Sequence, residues 1–559
     1  MTSDSTIIKG TGVVAGIAYA PAIWVHPRPE LPTAGTTIAD DAHDSEFERF
    51  TTAADAVAAR LSARAETVEG AAAEVLKATA GMVTDRGWRR TVKKNITAGH
   101  PADYATVAAT QKFVEMFEAA GGLMAERTTD LRDIRDRVIA ELRGEDEPGL
   151  PDVTRESVLF ADDLSPADTA TLNPELVVAL VTELGGPTSH TAIIARQLNV
   201  PCIVAAGRAV HEIPAGEYVL VDGASGTVTL NADEETARAS VASSRERAAI
   251  VAQWRGPAQT KDGHRVQLLA NVADGNAARI AADTQAEGIG LYRTEMSFLS
   301  TSQEPSVEEQ AAVYRKVLEA FPTSKVVIRT LDAGSDKPIA YANMEHEDNP
   351  ALGVRGLRIA WGNEGILVRQ LDAIALAAEG RSEDAPTWVM APMLAREREA
   401  RWFAELCRER GLTPGAMIEV PAAVIMADKI MPHLDFVSIG TNDLTQYTMA
   451  ADRLSPSLAY LTDPWQPAVL RLVKETCRVG ELTETPVGVC GEAAADPKLA
   501  CVLTGLGVTS LSAASTAVAG VGAQLADLDL AACQEVARAV LDAPGATAAR
   551  EIAREMILG

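Results

Sequence analysis

Basic residues are in short supply. Lys and Arg number 51 against 77 Asp and Glu, a formal net charge of −26 over 559 residues. Such an acidic surface repels nucleic acid and anionic lipid, so neither is an expected partner. An anionic substrate then needs a local cluster of arginines working against the overall field, whereas docking of a basic protein is compatible with it. Long apolar runs are missing too: no stretch of about 18 apolar residues occurs, and no membrane span is expected. The N-terminal MTSDSTIIKG lacks the basic-then-apolar order of a secretory signal. The six cysteines, Cys202, Cys407, Cys477, Cys490, Cys501 and Cys533, contain no CxxC, which argues against disulfide and zinc frameworks. These absences point to a cytoplasmic protein.

With 47% apolar residues the chain can bury large cores, and its length suggests roughly three or four domains. Residues 7–25 read as one or two strands. The GTGVVAG at 10–16 is followed by no amphipathic helix, so a nucleotide site is not expected there. From 35 to 143 long helices take over. Phe47, Phe50, Ala54, Val57 and Leu61 recur at three- and four-residue intervals, as do Leu131, Ile134, Val138 and Leu142, which predicts a helical bundle inserted between strands. Apolar runs return at 158–163, 176–183, 200–206, 218–223 and 227–231, giving a compact domain of strands with few helices. DDLSPADTATL, 162–172, reads as a turn and capped helix. Residues 233–255 are helical without an apolar face, a connecting helix about which two domains could move. Eight strand-like runs then alternate with helices: 266–272, 288–295, 326–333, 388–394, 415–421, 436–443, 486–493 and 508–515. That order fits a (β/α)8 barrel, with a doubly wound open sheet as the alternative.

Histidine is scarce, with eight in all, and one stands in GGPTSHTAIIARQL, 185–198. The glycines break what precedes, Ile193, Ile194 and Leu198 follow helical spacing, and a helix beginning near Thr188 would leave unpaired N–H groups. His190 would then sit where a phosphoryl group can be held. At the ends of the barrel strands lie Arg293 and Glu295, Arg329 and Asp332, then Arg355, Glu419, Asn442, Asp443, Arg453, and Cys490 with Glu492. Arginine forks match phosphate and carboxylate oxygens. Two carboxylates facing one space need a cation, and Mg2+ commonly uses such a pair together with substrate phosphate. A thiol with a pKa of roughly 8.5 holds its proton at neutral pH and can serve as an acid. The pattern describes a site for a small, phosphorylated, carboxylated molecule with Mg2+, and a histidine elsewhere that accepts its phosphoryl group.

GGPTSHTAIIARQLNVPCIV, EGIGLYRTEMSFL, SIGTNDLTQYTMAADR and VGVCGEAAADP resemble the bacterial phosphoenolpyruvate–protein phosphotransferases, the Enzyme I family of the sugar phosphotransferase system. The resemblance covers nearly the whole chain. It implies a swivelling phosphohistidine domain (1–34 and 144–232), an inserted helical domain that docks the carrier protein HPr (35–143), a linker helix (233–258), and a barrel that binds phosphoenolpyruvate and forms the homodimer (259–559). His190 would take the phosphoryl group and pass it to a histidine of HPr. Arg293, Arg329, Arg355, Asn442, Asp443 and Arg453 would hold phosphoenolpyruvate, Glu419 and Asp443 would hold Mg2+, and Cys490 would protonate the enolpyruvate carbon. Pro187 departs from the family, which often has a basic residue there; backbone donors or Arg196 would have to replace it. Ser335, where glycine is common, is a milder change.

Two other readings share parts of the pattern. A phosphoenolpyruvate synthase or pyruvate-phosphate dikinase would need an ATP-binding domain before the histidine, where there is no room. A catalytically silent regulator that binds carriers would lack the histidine, the acid or the carboxylate pair, and all are present.

Overall fold

The computed structural model describes residues 6–558 apart from 34, 36, 67–70, 121–126, 152, 165–171, 187–188, 300–302, 335–338, 340, 342–346, 383, 386, 454 and 456–457. The segment expected as a capped helix at 162–172 falls mostly outside the described residues. The chain divides into two compact units, Met1–Arg247 and Ala248–Gly559.

In the first unit, eight strands form one mixed sheet in the order β1-β8-β7-β3-β4-β5-β6-β2. Its centre is parallel, from β3 (Ile17–Trp24) through β4 (Ser157–Ala161) and β5 (Val177–Thr182) to β6 (Cys202–Val204). SVLFA in β4 is buried throughout, as the unbroken apolar runs of parallel strands require. Antiparallel strands flank this centre: β1 (Thr6–Lys9), β7 (Tyr218–Asp222) and β8 (Thr227–Leu230) on one side, β2 (Thr11–Val14) on the other. Residues 7–25 thus make three strands rather than one or two. The breaks fall at Gly10, where a Cβ would meet Ile203 at 2.6 Å, and near Gly16, whose φ of +138° favours glycine.

Between β3 and β4 runs the helical bundle, with helices His43–Glu66, Ala71–Val83, Arg86–Thr97, Ala102–Ala120 and Thr128–Arg143. Phe50, Val57 and Leu61 pack on Trp88, Val92, Ile134 and Val138, while Phe47 and Leu142 lie at the edge of that core. Trp88 donates its indole N–H to Thr110 at 3.1 Å, which satisfies the ring's polar end inside the bundle. The chain enters and leaves the bundle through a paired crossing: His26 and Gly149 exchange backbone hydrogen bonds of 2.9 and 3.2 Å. Beside that crossing Glu147 is clamped by Arg60 at 2.9 Å, Arg64 at 3.1 Å and Arg137.

In the second unit eight parallel strands close on themselves: β9 (Gln267–Val272), β10 (Gly288–Arg293), β11 (Lys325–Arg329), β12 (Thr387–Ala391), β13 (Thr413–Ile418), β14 (Phe436–Ile439), β15 (Val487–Val489) and β16 (Ser510–Ala514). Pairing of Ser510–Ala514 with Gln267–Asn271 joins the last strand to the first, which rules out the open sheet. Leu291, Val327, Met390, Met417 and Phe436 fill the barrel, and a larger apolar layer lies between strands and outer helices. The helix Glu234–Gln253 runs across the boundary of the two units and buries only Ala237, in keeping with its lack of an apolar face. Among the described residues no helix is long and apolar enough to cross a membrane.

Burial works against the Glu147 carboxylate, but Arg137, Arg64 and Arg60 outweigh it and hold its pKa below the usual carboxylate range. A depressed folded-state pKa stabilises the fold above the unfolded value of about 4.3 and is lost as pH falls through the folded value. Glu147→Gln should therefore cost about 1–3 kcal/mol of local stability at pH 7. Hydrogen exchange at the amides of helix Thr128–Arg143 would read it. The gap between wild type and variant should close below about pH 4.

Candidate active site

Parallel barrels deliver side chains to the C-terminal ends of their strands, and the loops after them complete the site. Here β10 ends on Arg293, β11 on Arg329 and β13 one residue before Glu419. β14 runs through Gly440 into a helix, Thr441–Met449, whose first turn carries Asn442 and Asp443. β15 stops one residue before Cys490. A cavity of about 480 Å3 opens at this mouth, and Arg293, Arg329, Arg355, Glu419, Asn442, Asp443, Arg453 and Cys490 all line it. Every barrel residue that the motifs single out therefore meets at one place. Glu295, Asp332 and Glu492 join them.

The charges are arranged in a chain. Arg329 donates to Glu295 at 2.8 Å and lies 3.2 Å from Asp332. Arg355 forks onto the same Asp332 at 2.9 and 3.2 Å and reaches Asp443 at 3.4 Å. Burial works against the Asp332 anion, yet Arg329 and Arg355 hold its carboxyl below the ordinary range. The same carboxylates push both guanidinium pKa values up, against burial. Two arginines are freer. Arg453 comes no nearer to Asp443 than 3.8 Å, and Arg293 makes no hydrogen bond or ion pair among the described residues. Those two forks are open to an incoming anion, and so is the buried Nε of Arg329, which has no partner among the described residues.

Glu419 is the exception in this network. It is fully buried, and its Oε1 accepts from the Met393 N–H at 2.6 Å. Its Oε2 has no hydrogen-bond partner among the described residues. Burial, and then the negative charges of Asp332 and Asp443, push its pKa up to about 8. A buried carboxylate oxygen without a donor, next to two other carboxylates, is what a cation would satisfy. Met393 adopts φ +59° to deliver that N–H, a left-handed conformation that costs a non-glycine residue energy.

Cys490 is 2% exposed, and its thiol donates weakly to the Ile439 carbonyl at 3.6 Å. Burial raises its pKa to about 11, only partly offset by a hydrogen bond with Ser438 and by Arg329. The next residue must be small: a Cβ on Gly491 would lie 1.9 Å from Thr441 Oγ1. Sequence reasoning missed Asn271, on β9, which donates to the carbonyls of Cys490 and Ser512 at 3.1 Å each. It lies 219 residues from Cys490, and a polar residue inside an apolar strand run was its only signal.

In the first unit the strand-to-helix turn after β5 is as expected, with one shift. The helix His190–Leu198 begins at His190 itself, not near Thr188, because Ser189 is the N-cap and accepts from Ala192 N–H at 3.3 Å. Thr191 donates to Asp163 at 3.0 Å and ties the first turn to the end of β4. Gly185 takes φ +91°, which turns the chain out of β5. His190 thus has its backbone among the donor groups of a helix N-terminus; its side chain, Pro187, Thr188 and Ser335 lie outside the described residues. Arg196 occupies the last turn of this helix and bears on the Cys202 thiol.

Set beside known proteins, the barrel falls in the class of phosphoenolpyruvate-utilising enzymes. Residues 247–530 match the PEP-utilising enzyme, PEP-binding domain; 153–226 match the mobile domain and 9–127 the N-terminal domain of the same enzymes. Over 559 residues the chain is 45% identical to the phosphoenolpyruvate-protein phosphotransferase of Streptomyces coelicolor, covering 99% of this chain and 100% of that one. Proteins of the same name from Haloferax volcanii and Bacillus subtilis are 37% and 34% identical, each across more than nine-tenths of both chains. The chain belongs to the phosphoenolpyruvate-protein phosphotransferase family.

A thiol with a pKa near 11 carries no charge at neutral pH. The 240 nm absorbance difference between wild type and Cys490→Ala should stay flat from pH 6 to 9. A rise centred near 8.5 would show that the thiol is solvated as in a free peptide.

Proposed function

We propose that this chain transfers the phosphoryl group of phosphoenolpyruvate to His190 and then to a histidine of a small carrier protein, HPr, releasing pyruvate. The supporting observation is the barrel mouth, where open arginines, a buried carboxylate lacking a donor and a protonated thiol line one cavity.

Arg293 and Arg453 have unused donors to receive the phosphate and carboxylate of the substrate, with Arg329, Arg355 and Asn442 completing the cradle. Glu419 and Asp443 suit a divalent cation, Mg2+, since one would satisfy Glu419 Oε2 and relieve the repulsion between the carboxylates. Bound there with the substrate, such an ion supplies positive charge against the developing charge on oxygen. A ring nitrogen of His190 attacks phosphorus; the N–P bond forms as the bond from phosphorus to the enol oxygen breaks. The electron pair passes to that oxygen as an enolate. Cys490 gives its proton to the methylene carbon of the enolate, and pyruvate results. The thiolate left behind faces Arg329 and Arg293, which offset its charge.

Transfer onward requires His190 to leave that mouth and meet the carrier, for which the helical domain, 35–143, is the proposed dock. The paired crossing at His26 and Gly149 and the helix Glu234–Gln253 are the segments across which such a movement would run. A homodimer formed through the barrel and a cytoplasmic location complete the reading. Relatives named phosphotransferase match end to end, which favours it over a dikinase.

Labelled phosphoenolpyruvate with Mg2+ should leave an acid-labile label on the wild type and none on His190→Ala. Binding of HPr without any acid-labile phosphate on the wild type would instead support the silent regulator. Cys490→Ala should slow pyruvate formation by about 10²–10⁴-fold and leave carrier binding intact. Unchanged turnover would remove the thiol from its role.

A further inference from the structure

Beneath the mouth lies a polar network of which the motifs contain only Thr294. Gln370 sits on the outer helix Glu364–Ala378 and is wholly buried. Its Oε1 accepts the N–H of Leu331 at 3.0 Å. Its Nε2 donates to Thr294 Oγ1 at 3.1 Å and to Tyr314 Oη at 3.2 Å. Thr294, also wholly buried, passes its own proton to the Arg329 carbonyl at 3.0 Å. The tyrosine hydroxyl donates in turn to Gln310 at 3.1 Å.

The orientation of the carboxamide is fixed by chemistry. A backbone N–H can only donate, so the oxygen must face Leu331 and the nitrogen must face the two hydroxyls. Both amide protons and the carbonyl are then in use. In a buried setting such a closed network has one low-energy arrangement, because any slip strands a polar group.

What it ties together matters for the site. Thr294 lies between Arg293 and Glu295, at the end of β10. Leu331 lies between Arg329 and Asp332, just past the end of β11. β10 and β11 pair with an irregular register between Ile289 and Tyr292, and the ladder resumes for only two pairs, Tyr292 with Ile328 and Arg293 with Arg329, before both strands end. We propose that Gln370 is the positioning residue that secures this short end of the ladder, locking Thr294 and Leu331 just past the last pair and so holding Arg293 and Arg329 at the spacing that fits one phosphoenolpyruvate. It rests on the reading that this mouth binds that substrate. Gln370 itself does not line the cavity, and it acts through Thr294 and Leu331.

The two half-reactions separate this role from mere stability. Phosphoenolpyruvate reacts first and the carrier second, so each has its own kcat/KM. Gln370→Leu should lower kcat/KM for phosphoenolpyruvate by about 10- to 100-fold, the scale of a small misplacement at a reacting centre. It should leave kcat/KM for the carrier unchanged. Thr294→Val carries the same expectation and serves if the first variant does not fold. The double variant should be no worse than the poorer single one, since both cut the same link. Val536→Ala, in an outer helix away from the mouth, controls for general loss of stability and should leave both constants unchanged. Equal losses on both substrates, a phosphoenolpyruvate constant within twofold of wild type, or losses that multiply in the double variant would overturn the assignment. A wild type that takes no label from phosphoenolpyruvate would instead overturn the function on which it rests.

Discussion

The site depends on like and unlike charges being forced together at the mouth of a closed barrel. Arg329 and Arg355 pair with Asp332, Glu295 and Asp443 in a space largely shut off from water. Buried ion pairs contribute little net stability, because desolvation offsets most of the attraction. What they contribute is position. Asp332 holds two guanidinium groups at once, so turning either one breaks a buried ion pair. The chain as a whole is strongly acidic, and this cluster is where an anion nevertheless finds donors waiting.

Within the mouth, four departures from full pairing fall where chemistry is proposed. Arg293 and Arg453 keep donors in hand, Glu419 keeps an oxygen without a donor, and Cys490 keeps its proton through burial. A network satisfied at every atom would be more stable and would bind nothing. Met393 in a left-handed conformation shows the same trade, since backbone strain is spent to bring one N–H to Glu419.

The first unit solves a different problem with different means. The backbone of His190 is placed by a glycine turn out of β5, a serine cap and the start of a helix. That arrangement leaves backbone N–H groups at the helix start.

Much of this was legible in the residues. Alternation of apolar runs with helical stretches revealed all eight barrel strands, since a fully buried parallel strand must be apolar along its length. The bundle stripe from Phe50 to Leu61 followed from helical spacing, long motifs marked His190, Asn442, Asp443 and Cys490, and a strand end marked Glu419. Local pattern could not reveal closure of β16 on β9, the third strand within residues 7–25, the helix start at His190, or the links made by Asn271 and Gln370. Periodicity reports only which face of an element is buried. Which atoms meet across 219 residues, which arginines are already paired and which oxygen lacks a donor are set by packing of distant segments, and those follow only once the barrel has closed.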